Sequence, residues 1–284
     1  MSYWAGQVAN GLAFAIALYL LAVGLTLAFG VLRVVNLMHG SCYLLGAYIA
    51  LSATEVSHNF LIGALIAVAA AVPVWLVLSG ALKIAGRELK GQAVVTLALV
   101  YIISDVALVF WGRTPRSVPT PTSLQGTVDL LGAQYPAYRL FLVGVGVVVA
   151  ACLHVVQRRT IYGAVVRAAA DDMDMLAALG WRASRVRAWT LLVAVALAML
   201  SGAVAGTVFG VYPGVDRLFL VYALVVVILG GMGSITGSLI AALVVGVVST
   251  VTKSVWPSAG DLSIFALVIL VLAWRPAGLL GRRS

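Results

Sequence analysis

Apolar residues form nine runs along the 284-residue chain, and short polar or glycine-containing segments separate them. The runs cover residues 8–31, 37–54, 60–82, 92–112, 138–156, 188–211, 218–230, 237–252 and 262–274. Most approach the roughly 20 apolar residues that a helix needs to cross a bilayer, so we expect about eight to nine transmembrane helices. The pairs 8–31/37–54 and 218–230/237–252 can each also be interpreted as one longer helix with a break. The pattern predicts an all-α polytopic membrane protein.

The composition is that of a chain embedded almost entirely in a membrane. Hydrophobic residues make up 63% of it and charged residues 10%, whereas soluble domains average roughly 45–50% apolar and ~25% charged residues. Because no extramembrane segment is large enough to bury a core of its own, residues 1–284 are predicted to form one transmembrane domain. Cys42 and Cys152 both lie in apolar runs, so we predict neither a disulfide framework nor a metal site.

Basic residues are concentrated in three polar segments, 83–90, 157–187 and 275–283. Cytoplasmic loops are enriched in Lys and Arg, so these segments and the C-terminus are predicted to be cytoplasmic, and the formal charge of +9 needs no nucleic-acid partner. The loop 113–137 has few basic residues and four prolines, which predict an external, extended segment. With nine crossings the N-terminus lies outside, and the lack of Lys and Arg in residues 1–10 argues against a cleaved signal peptide.

The longest polar segment, 157–187, contains the pattern of a short amphipathic helix. Its apolar positions recur at three- or four-residue steps and are Ile161, Val165, Ala169, Met173, Leu176 and Ala177. Arg167, Asp171 and Asp174 fall on the opposite side, with Arg167 and Asp171 spaced as an i,i+4 pair. Gly180 follows the last periodic position as a stop signal. The pattern fits both a helix that lies on the lipid surface and a helix that docks onto a partner protein.

Residues 230–237 are rich in glycine although they lie between two apolar runs. The segment reads Gly230-Gly231-Met232-Gly233-Ser234-Ile235-Thr236-Gly237. Backbone groups in lipid must be satisfied internally, so glycine clusters at this depth occur where a helix breaks, where backbones pack closely or where a cavity is lined. A glycine-broken helix between apolar arms is typical of a transporter rather than of a receptor or an anchor.

A second polar cluster opens the apolar run 37–54 in the other half of the chain. It consists of Asn36, His39, Gly40 and Ser41, with Arg33 just ahead and Gly46 and Tyr48 following. Such a group can cap and kink a helix end, or its side chains can hydrogen-bond a solute within the bundle. Together with 230–237 it forms a pair of breaks, one in each half, and paired breaks are the best sequence indication of a translocation site.

The titratable residues favour transport over catalysis. His39, His58 and His154 are scattered, and the sequence contains no zincin, Cys-x-x-Cys, nucleophile-elbow or Walker A motif. Asp105 lies within an apolar run, where a carboxylate indicates either a role in the substrate path or gating, or a structural hydrogen bond between helices. Two other classes stay open. One is a stand-alone secondary transporter or channel that uses Asp105; the other is a membrane-embedded enzyme, which would need paired carboxylates or clustered histidines.

Four motifs occur in order along nearly the whole chain. They are Asn36-Leu37-Met38-His39-Gly40 with Leu45-Gly46-Ala47-Tyr48, residues 162–171 with Ala177 and Leu179-Gly180, residues 229–237, and Trp274-Arg275-Pro276-Ala277-Gly278-Leu279-Leu280-Gly281. They are similar to the N-F-A-H-G…G-A-Y, G-x-A-x-R-A…D…A…L-G-I, G-G-x-G-S-x-x-G and R-P-x-G-L-x-G motifs of LivH-type permeases, which belong to branched-chain amino acid ABC importers. Each motif alone is weak, but the four in order make the resemblance strong.

The resemblance implies a mechanism and a set of partners. Two related permease chains, expected as a heterodimer, would form the pathway in the bacterial inner membrane. Two cytoplasmic ATPases would bind ATP and Mg²⁺ and power transport, a periplasmic or extracellular binding protein would deliver the solute, and this chain would hold no cofactor. Residues 161–180 would be the coupling helix that docks into an ATPase. Its expected contact residues are Gly163, Arg167, Ala168, Asp171, Leu179 and Gly180.

The two breaks and the apolar-run carboxylate supply the candidate pathway residues. These are Asn36, His39, Gly40, Ser41, Asp105, Gly230, Gly231, Gly233, Ser234 and Gly237. The resemblance implies a branched-chain amino acid or a similar small solute as cargo, with urea, short amides and aromatic carboxylates as alternatives. Two departures bear on the cargo: Leu37-Met38 stands where relatives commonly have Phe-Ala, and Ser41 where they have an acidic residue. We therefore expect a pathway that is less polar or differently shaped.

Overall fold

The computed structural model describes residues 2–32, 34, 36–86, 88–130 and 133–281. Arg33, Arg87, Arg282 and Arg283, which belong to the polar segments named above, lie outside the described residues. Within the described residues the chain is built from helices, and the strands form a single two-stranded hairpin.

The helices follow the chain in the order that the apolar runs predict. The first six are α1 (Ser2–Leu27), α2 (His39–Ser57), α3 (Phe60–Ala69), α4 (Ala71–Ala85), α5 (Leu89–Trp111) and α6 (Ala137–Arg159). The other six are α7 (Ile161–Asp171), α8 (Met173–Ala178), α9 (Ala183–Phe209), α10 (Val215–Gly230), α11 (Ile235–Val255) and α12 (Gly260–Trp274). A π-helix (Ala28–Leu32) continues α1, and 3₁₀ turns cover Thr122–Leu124 and Pro257–Ala259.

Each of the nine apolar runs is helical, but the run 60–82 is divided between α3 and α4 at Ala70. Pro73 explains the division. Proline has no backbone N–H, so it cannot donate to the carbonyl four residues earlier, and its ring crowds that carbonyl. Asn59 starts α3 as its N-cap, because its side-chain oxygen accepts hydrogen bonds from the backbone N–H groups of Leu61 (2.9 Å) and Ile62 (3.3 Å).

Seven helical segments of the described chain are long and apolar enough to cross a membrane. They are Tyr3–Val31, Phe60–Ala85, Leu89–Trp111, Ala137–Arg159, Ala183–Phe209, Ile235–Val255 and Pro257–Trp274. This count rests on length and composition alone, and the all-α polytopic architecture is confirmed. Two helices that the apolar runs predict fall outside this count: α2, which begins with polar residues, and α10, which has only 16 residues. From the sequence, each of them could also have been part of a longer helix with a break. In the structure, each is a separate helix.

The central helix of the bundle is α1, which packs against α6, α9, α10 and α11. All residues from 15 to 26 are buried, as expected for a helix that is apolar on every side. Small residues allow α1 and α11 to approach closely. A Cβ added to Gly11 would lie 2.8 Å from the Cα of Val247, and one added to Gly246 would lie 2.6 Å from the carbonyl oxygen of Gly11. Such contacts are typical of helix pairs in membranes.

The loop 113–137 is largely non-helical, as its prolines predict, but it also contains a hairpin that the sequence did not indicate. In the hairpin, β1 (Thr127–Leu130) pairs antiparallel with β2 (Ala133–Pro136). Earlier in the loop, Arg116 and Val211 exchange both backbone hydrogen bonds, at 3.0 and 2.7 Å. The loop is thereby fixed to the connection between α9 and α10.

The predicted amphipathic helix in 157–187 is two helices rather than one, which corrects the sequence interpretation. The break is at Asp172, whose Oδ1 accepts hydrogen bonds from the backbone N–H groups of Asp174 (2.9 Å) and Met175 (3.0 Å) and so caps α8. The apolar periodicity continues across this break, so the pattern could not reveal it. Gly180 does end α8, with a φ of +89° and the backbone bonds of a Schellman motif.

Candidate translocation and coupling site

A cavity of about 680 Å³ opens at the end of the bundle where α7 lies, and we call it the α7-end cavity. Its lining includes Arg167 and Asp171 of α7 together with Gly233 and Ser234 of the glycine break. Two groups of residues that the sequence assigned to different tasks, coupling and translocation, therefore share one space. Charged and hydroxyl side chains from both groups are part of its lining, so the cavity can hold water and polar solutes.

The glycine break joins α10 to α11 through a tight, non-helical turn. Gly231 and Gly233 have φ values of +93° and +84°, which other residues rarely adopt. Ser234 caps α11, because its Oγ accepts a hydrogen bond from the backbone N–H of Gly237 at 3.0 Å. A Cβ added to Gly237 would lie 2.0 Å from the carbonyl oxygen of Gly230, so the two helix ends touch through their backbones. The prediction of a helix break with closely packed backbones is confirmed.

The residues that follow α12 close the free end of α10. The backbone N–H groups of Leu279 and Leu280 donate to the carbonyl oxygens of Leu229 (2.7 Å) and Gly230 (3.2 Å). These carbonyls belong to the last turn of α10 and have no partner within their own helix. The third and fourth motifs of the sequence therefore form one structure, a contact between segments about 50 residues apart that neither motif indicates by itself.

The π-helix that continues α1 lies between α7 and the glycine break. Val31 is buried together with Val165 and Ala169 of α7 and Leu176 of α8. One residue earlier in the π-helix, a Cβ added to Gly30 would lie 2.7 Å from the Cα of Gly233. A π-helix is an irregular turn that is frequent at functional sites. A continuous set of contacts therefore links α7, the end of α1 and the break.

The predicted coupling residues lie in three environments: the cavity lining, contacts with neighbouring elements, and the exposed surface. Gly163 is buried and lets α7 approach α6, since an added Cβ would lie 2.3 Å from the carbonyl oxygen of Val156. Ala168 is partly buried against the cluster around Val31. Leu179 and Gly180 are exposed at the end of α8. Several apolar side chains of α7 and α8 are also exposed, namely Ile161 (71%), Tyr162 (75%), Met175 (66%) and Leu179 (74%). Of the apolar positions that the sequence placed on one side of the helix, Val165, Ala169 and Leu176 are buried, whereas Ile161 and Ala177 are exposed.

The second polar cluster is buried inside the bundle and does not line the α7-end cavity. His39 Nε2 lies 2.9 Å from the carbonyl oxygen of Leu21, and a Cβ added to Gly40 would lie 2.4 Å from the carbonyl oxygen of Asp216. Asn36 is not a cap: α2 has Met38 at its N-cap with no side-chain bond. The amide atoms of Asn36 have no hydrogen-bond partner among the described residues. The cluster thus packs α2 against α1 and α10.

Comparison with known proteins identifies the chain. The family described as the permease component of branched-chain amino acid transport systems matches residues 7–273. The chain belongs to this family. It is 28% identical over 298 residues to the high-affinity branched-chain amino acid transport system permease protein BraD of Pseudomonas aeruginosa, covering 97% of this chain and 95% of BraD. The permease protein LivH of Escherichia coli is 26% identical over 307 residues, covering 99% and 96%.

A solved structure supports the fold. The chain matches PsaBC from Streptococcus pneumoniae in complex with Fab with a TM-score of 0.53 and 13% sequence identity, covering 93% of this chain and 90% of that one. The resemblance to LivH-type permeases is therefore confirmed, and this permease is a multi-pass membrane protein with a transport role.

The permease contains a buried carboxylate that the sequence analysis did not single out. Asp216 is 1% exposed in the first turn of α10, where the helix dipole favours a negative charge. The hydroxyl of Ser41 donates to its Oδ2 at 3.1 Å, while its Oδ1 has no partner among the described residues. Its position just outside the run 218–230 made it look like a boundary residue. An acidic residue two positions after Pro213-Gly214 and shortly before an apolar run was the available signal.

Asp105 lies apart from the other candidate pathway residues. It is exposed on α5, does not line the α7-end cavity, and makes no hydrogen bond or ion pair with any described residue. Tyr101 is one turn earlier on the same face, and the guanidinium carbon of Arg217 of α10 lies 5.0 Å from its ring centroid. The permease thus presents a face of α5 and α10 that carries both a carboxylate and a guanidinium. We call it the α5/α10 face.

Proposed function

We propose that this permease is a transmembrane subunit of a binding-protein-dependent ABC importer in the bacterial inner membrane. The observation that carries the proposal is the α7-end cavity, where Arg167 and Asp171 of the candidate coupling segment meet Gly233 and Ser234 of the glycine break. An importer needs such a meeting point, because the force from an ATPase has to reach the segment that opens or closes the pathway. If the permease were a stand-alone carrier, α7 would have no ATPase to contact.

The contacts around the π-helix supply a route for that force. An ATPase that displaced α7 would move Val165 and Ala169 against Val31. The displacement would pass from the end of α1 to the break through the backbone contact between Gly30 and Gly233. Packed elements switch between discrete arrangements rather than deforming gradually, so a small shift at α7 can change the connection between α10 and α11. ATP and Mg²⁺ are held by the ATPases in this scheme.

The exposed apolar residues of α7 and α8 are proposed as the docking surface for one of two cytoplasmic ATPases. Ile161, Tyr162, Met175 and Leu179 are all more than half exposed at one end of the bundle, and large contiguous apolar patches outside lipid mark interaction sites. By the positive-inside rule, the basic residues near this end favour a cytoplasmic location for it and for the C-terminus. The hairpin loop then faces outward, where a solute-binding protein would dock.

A second permease subunit is proposed to cover the α5/α10 face. An exposed carboxylate in the middle of a membrane helix is costly in lipid and almost always faces protein or a water-filled space. Asp105 meets this condition if the α5/α10 face lies against the second subunit and borders the pathway. The second subunit is proposed to be a related but different permease chain, so that residues of another sequence would lie opposite Asp105 and Arg217.

Branched-chain amino acids are the proposed cargo, because the names of BraD and LivH specify them. Those names give no support to urea, amides or aromatic carboxylates. The alignment covers 95% of BraD and 96% of LivH. Selection among the branched-chain amino acids rests largely with the binding protein.

Reconstitution of the complex tests the proposal. The permease is first purified in mild detergent from its host to identify co-purifying ATPases, a second permease and a binding protein. The complex in proteoliposomes should take up radiolabelled leucine only when the binding protein is outside and ATP is on the ATPase side. A matched complex whose ATPases carry an inactivating change in the Walker motif is the control. Leucine uptake by the permease alone, without ATP, would instead establish the stand-alone carrier.

A further inference from the structure

The permease contains a second cavity, of about 320 Å³, at the opposite end of the bundle from α7. It lies beside the start of α6, which directly follows the hairpin, and we call it the hairpin-end cavity. The volume is near the lower limit of the ~300–1,000 Å³ that small-molecule sites occupy. It is separate from the α7-end cavity and shares no lining residue with it.

One wall of the hairpin-end cavity is aromatic. The ring of Phe14 lies 5.4 Å from that of Phe209 and 5.9 Å from that of Tyr222, and Phe209 lies 5.9 Å from Phe219, centroid to centroid. All four rings line the cavity. Rings at these separations support one another, so the wall is a rigid apolar surface for a branched or unbranched aliphatic group.

The other side of the cavity carries charges of both signs. The Nζ of Lys253 lies 2.8 Å from Oδ1 of Asp261, and the hydroxyl of Tyr222 donates to the same oxygen at 2.7 Å. The side chains of Lys253 and Asp261 are 46% and 59% exposed, so water and solutes reach them. Arg139 lines the cavity as a second cation and donates to Oδ1 of Asn10. Two cations and one carboxylate at a shared opening complement a molecule that carries both charges.

A buried hydroxyl provides an independent indication of a ligand. Ser249 of α11 lines the cavity and is 1% exposed, and its Oγ has no hydrogen-bond partner among the described residues. Buried hydroxyls are nearly always paired, and a serine in a membrane helix can bond the carbonyl three or four residues earlier. Ser254 on the same helix follows the usual pattern and donates to the carbonyl of Val251 at 2.7 Å. The free hydroxyl of Ser249 is therefore available to a molecule in the cavity.

We propose that the hairpin-end cavity is a binding site for a small zwitterion with an apolar side chain. Asp261 would bind the ammonium group, Lys253 and Arg139 the carboxylate, and the aromatic wall the aliphatic side chain. Ser249 adds one hydrogen bond at the polar side. The site deepens the proposed function and rests on it for the orientation of the chain: a solute released by the binding protein would meet this cavity first.

The test measures equilibrium binding of three ligands to the purified permease in nanodiscs. L-leucine carries both charges, 4-methylpentanoate lacks the ammonium group, and 3-methylbutylamine lacks the carboxylate. Each truncated ligand loses a charge-assisted hydrogen bond, so leucine should bind at least about tenfold more tightly than either. Equal binding of all three would show that neither charged group of the ligand contributes to binding, and this result would overturn the proposal.

Charge variants assign each ligand group to its residue. Asp261→Asn should weaken leucine binding by about tenfold and leave 4-methylpentanoate binding unchanged, because that ligand has no ammonium group. Lys253→Met should weaken leucine and 4-methylpentanoate binding together and spare 3-methylbutylamine. A purely structural ion pair between α11 and α12 predicts instead that both variants reduce binding of all three ligands equally, which would refute the assignment.

Serine variants on α11 and a change of lipid complete the test. Ser249→Ala should weaken leucine binding several-fold, whereas Ser254→Ala should not, because that hydroxyl already bonds its own helix. Loss of leucine binding as the phosphatidylethanolamine content of the nanodisc rises would assign the cavity to a lipid headgroup and contradict a solute site. If the complex imports leucine but the permease does not bind it, the proposed binding site is refuted and the proposed importer function stands. If the permease binds leucine but the complex transports no leucine, the importer function is refuted and the binding site stands.

Discussion

A Cβ on Gly30 would lie 2.7 Å from the Cα of Gly233, so the end of α1 and the glycine break are in direct backbone contact. The contact joins two segments about 200 residues apart and lies beside the only large cavity that α7 lines in the described chain. No side chain larger than hydrogen fits between these backbones in this arrangement. The contact is therefore the narrowest point of the proposed route from α7 to the break.

We expect Gly30→Ala to reduce ATP-dependent leucine uptake by about tenfold or more, because overpacking at a tight contact typically costs ~1–3 kcal/mol and would separate the π-helix from the break. Uptake is measured in proteoliposomes containing the complete complex. Gly80→Ala in α4 is the matched control, since no heavy atom lies within 4 Å of its added Cβ. Equal uptake by both variants would rule out a role for the contact in coupling.

The charged residues of α7 provide a second prediction. Arg167→Glu combined with Asp171→Arg reverses two charges that line the α7-end cavity. We expect the double variant to lose most ATPase binding in a pull-down assay and to lose uptake in parallel, because reversed charges oppose the complementary surface of the partner. Arg113→Glu, an exposed change in the loop at the other end of the bundle, should leave ATPase binding unchanged. Wild-type ATPase binding and uptake in the double variant would eliminate the proposed contact.

The buried carboxylate near α2 leads to a prediction about stability. Ser41→Ala removes the hydroxyl that donates to Oδ2 of Asp216, so the buried carboxylate would lose this hydrogen bond. An unsatisfied buried acceptor typically costs ~1–3 kcal/mol, and more when it is charged, so the unfolding temperature should fall by several degrees. Ser57→Ala is the control on the same helix, since that hydroxyl bonds the carbonyl of Ala53 near its exposed end. The measurement is thermal unfolding in detergent, and equal unfolding temperatures would contradict the expected role of the hydrogen bond.

Most of the helices were predictable because the physics that forms them is local. A membrane helix satisfies its own backbone, so its apolar run is visible in the sequence. The break at Ala70 was also available from Pro73. The glycines of 230–237 correctly indicated close backbone contact, because glycines within the membrane occur mainly where backbones pack closely.

What the sequence did not reveal depends on contacts between distant segments. The hydrogen bond from Ser41 to Asp216 spans 175 residues, and the C-terminal closure of α10 joins two motifs that look independent. The break at Asp172 was hidden because the apolar periodicity runs through it. The polar cluster around His39 was interpreted as a cap or a solute site, but tertiary packing against α1 and α10 decides its place.

Asp105 provides the prediction that separates the importer from a stand-alone carrier. If the α5/α10 face meets a second permease, Asp105→Asn should reduce co-purification of that subunit several-fold while the unfolding temperature of the isolated chain stays constant, because the side chain has no partner among the described residues. Glu55→Gln, an exposed change at the end of α2, is the control and should affect neither quantity. A different result would follow for an ion-handling carboxylate. In that case Asp105→Asn would leave assembly intact and abolish ATP-independent uptake by the permease alone, and the interface proposed for α5 would have to be abandoned.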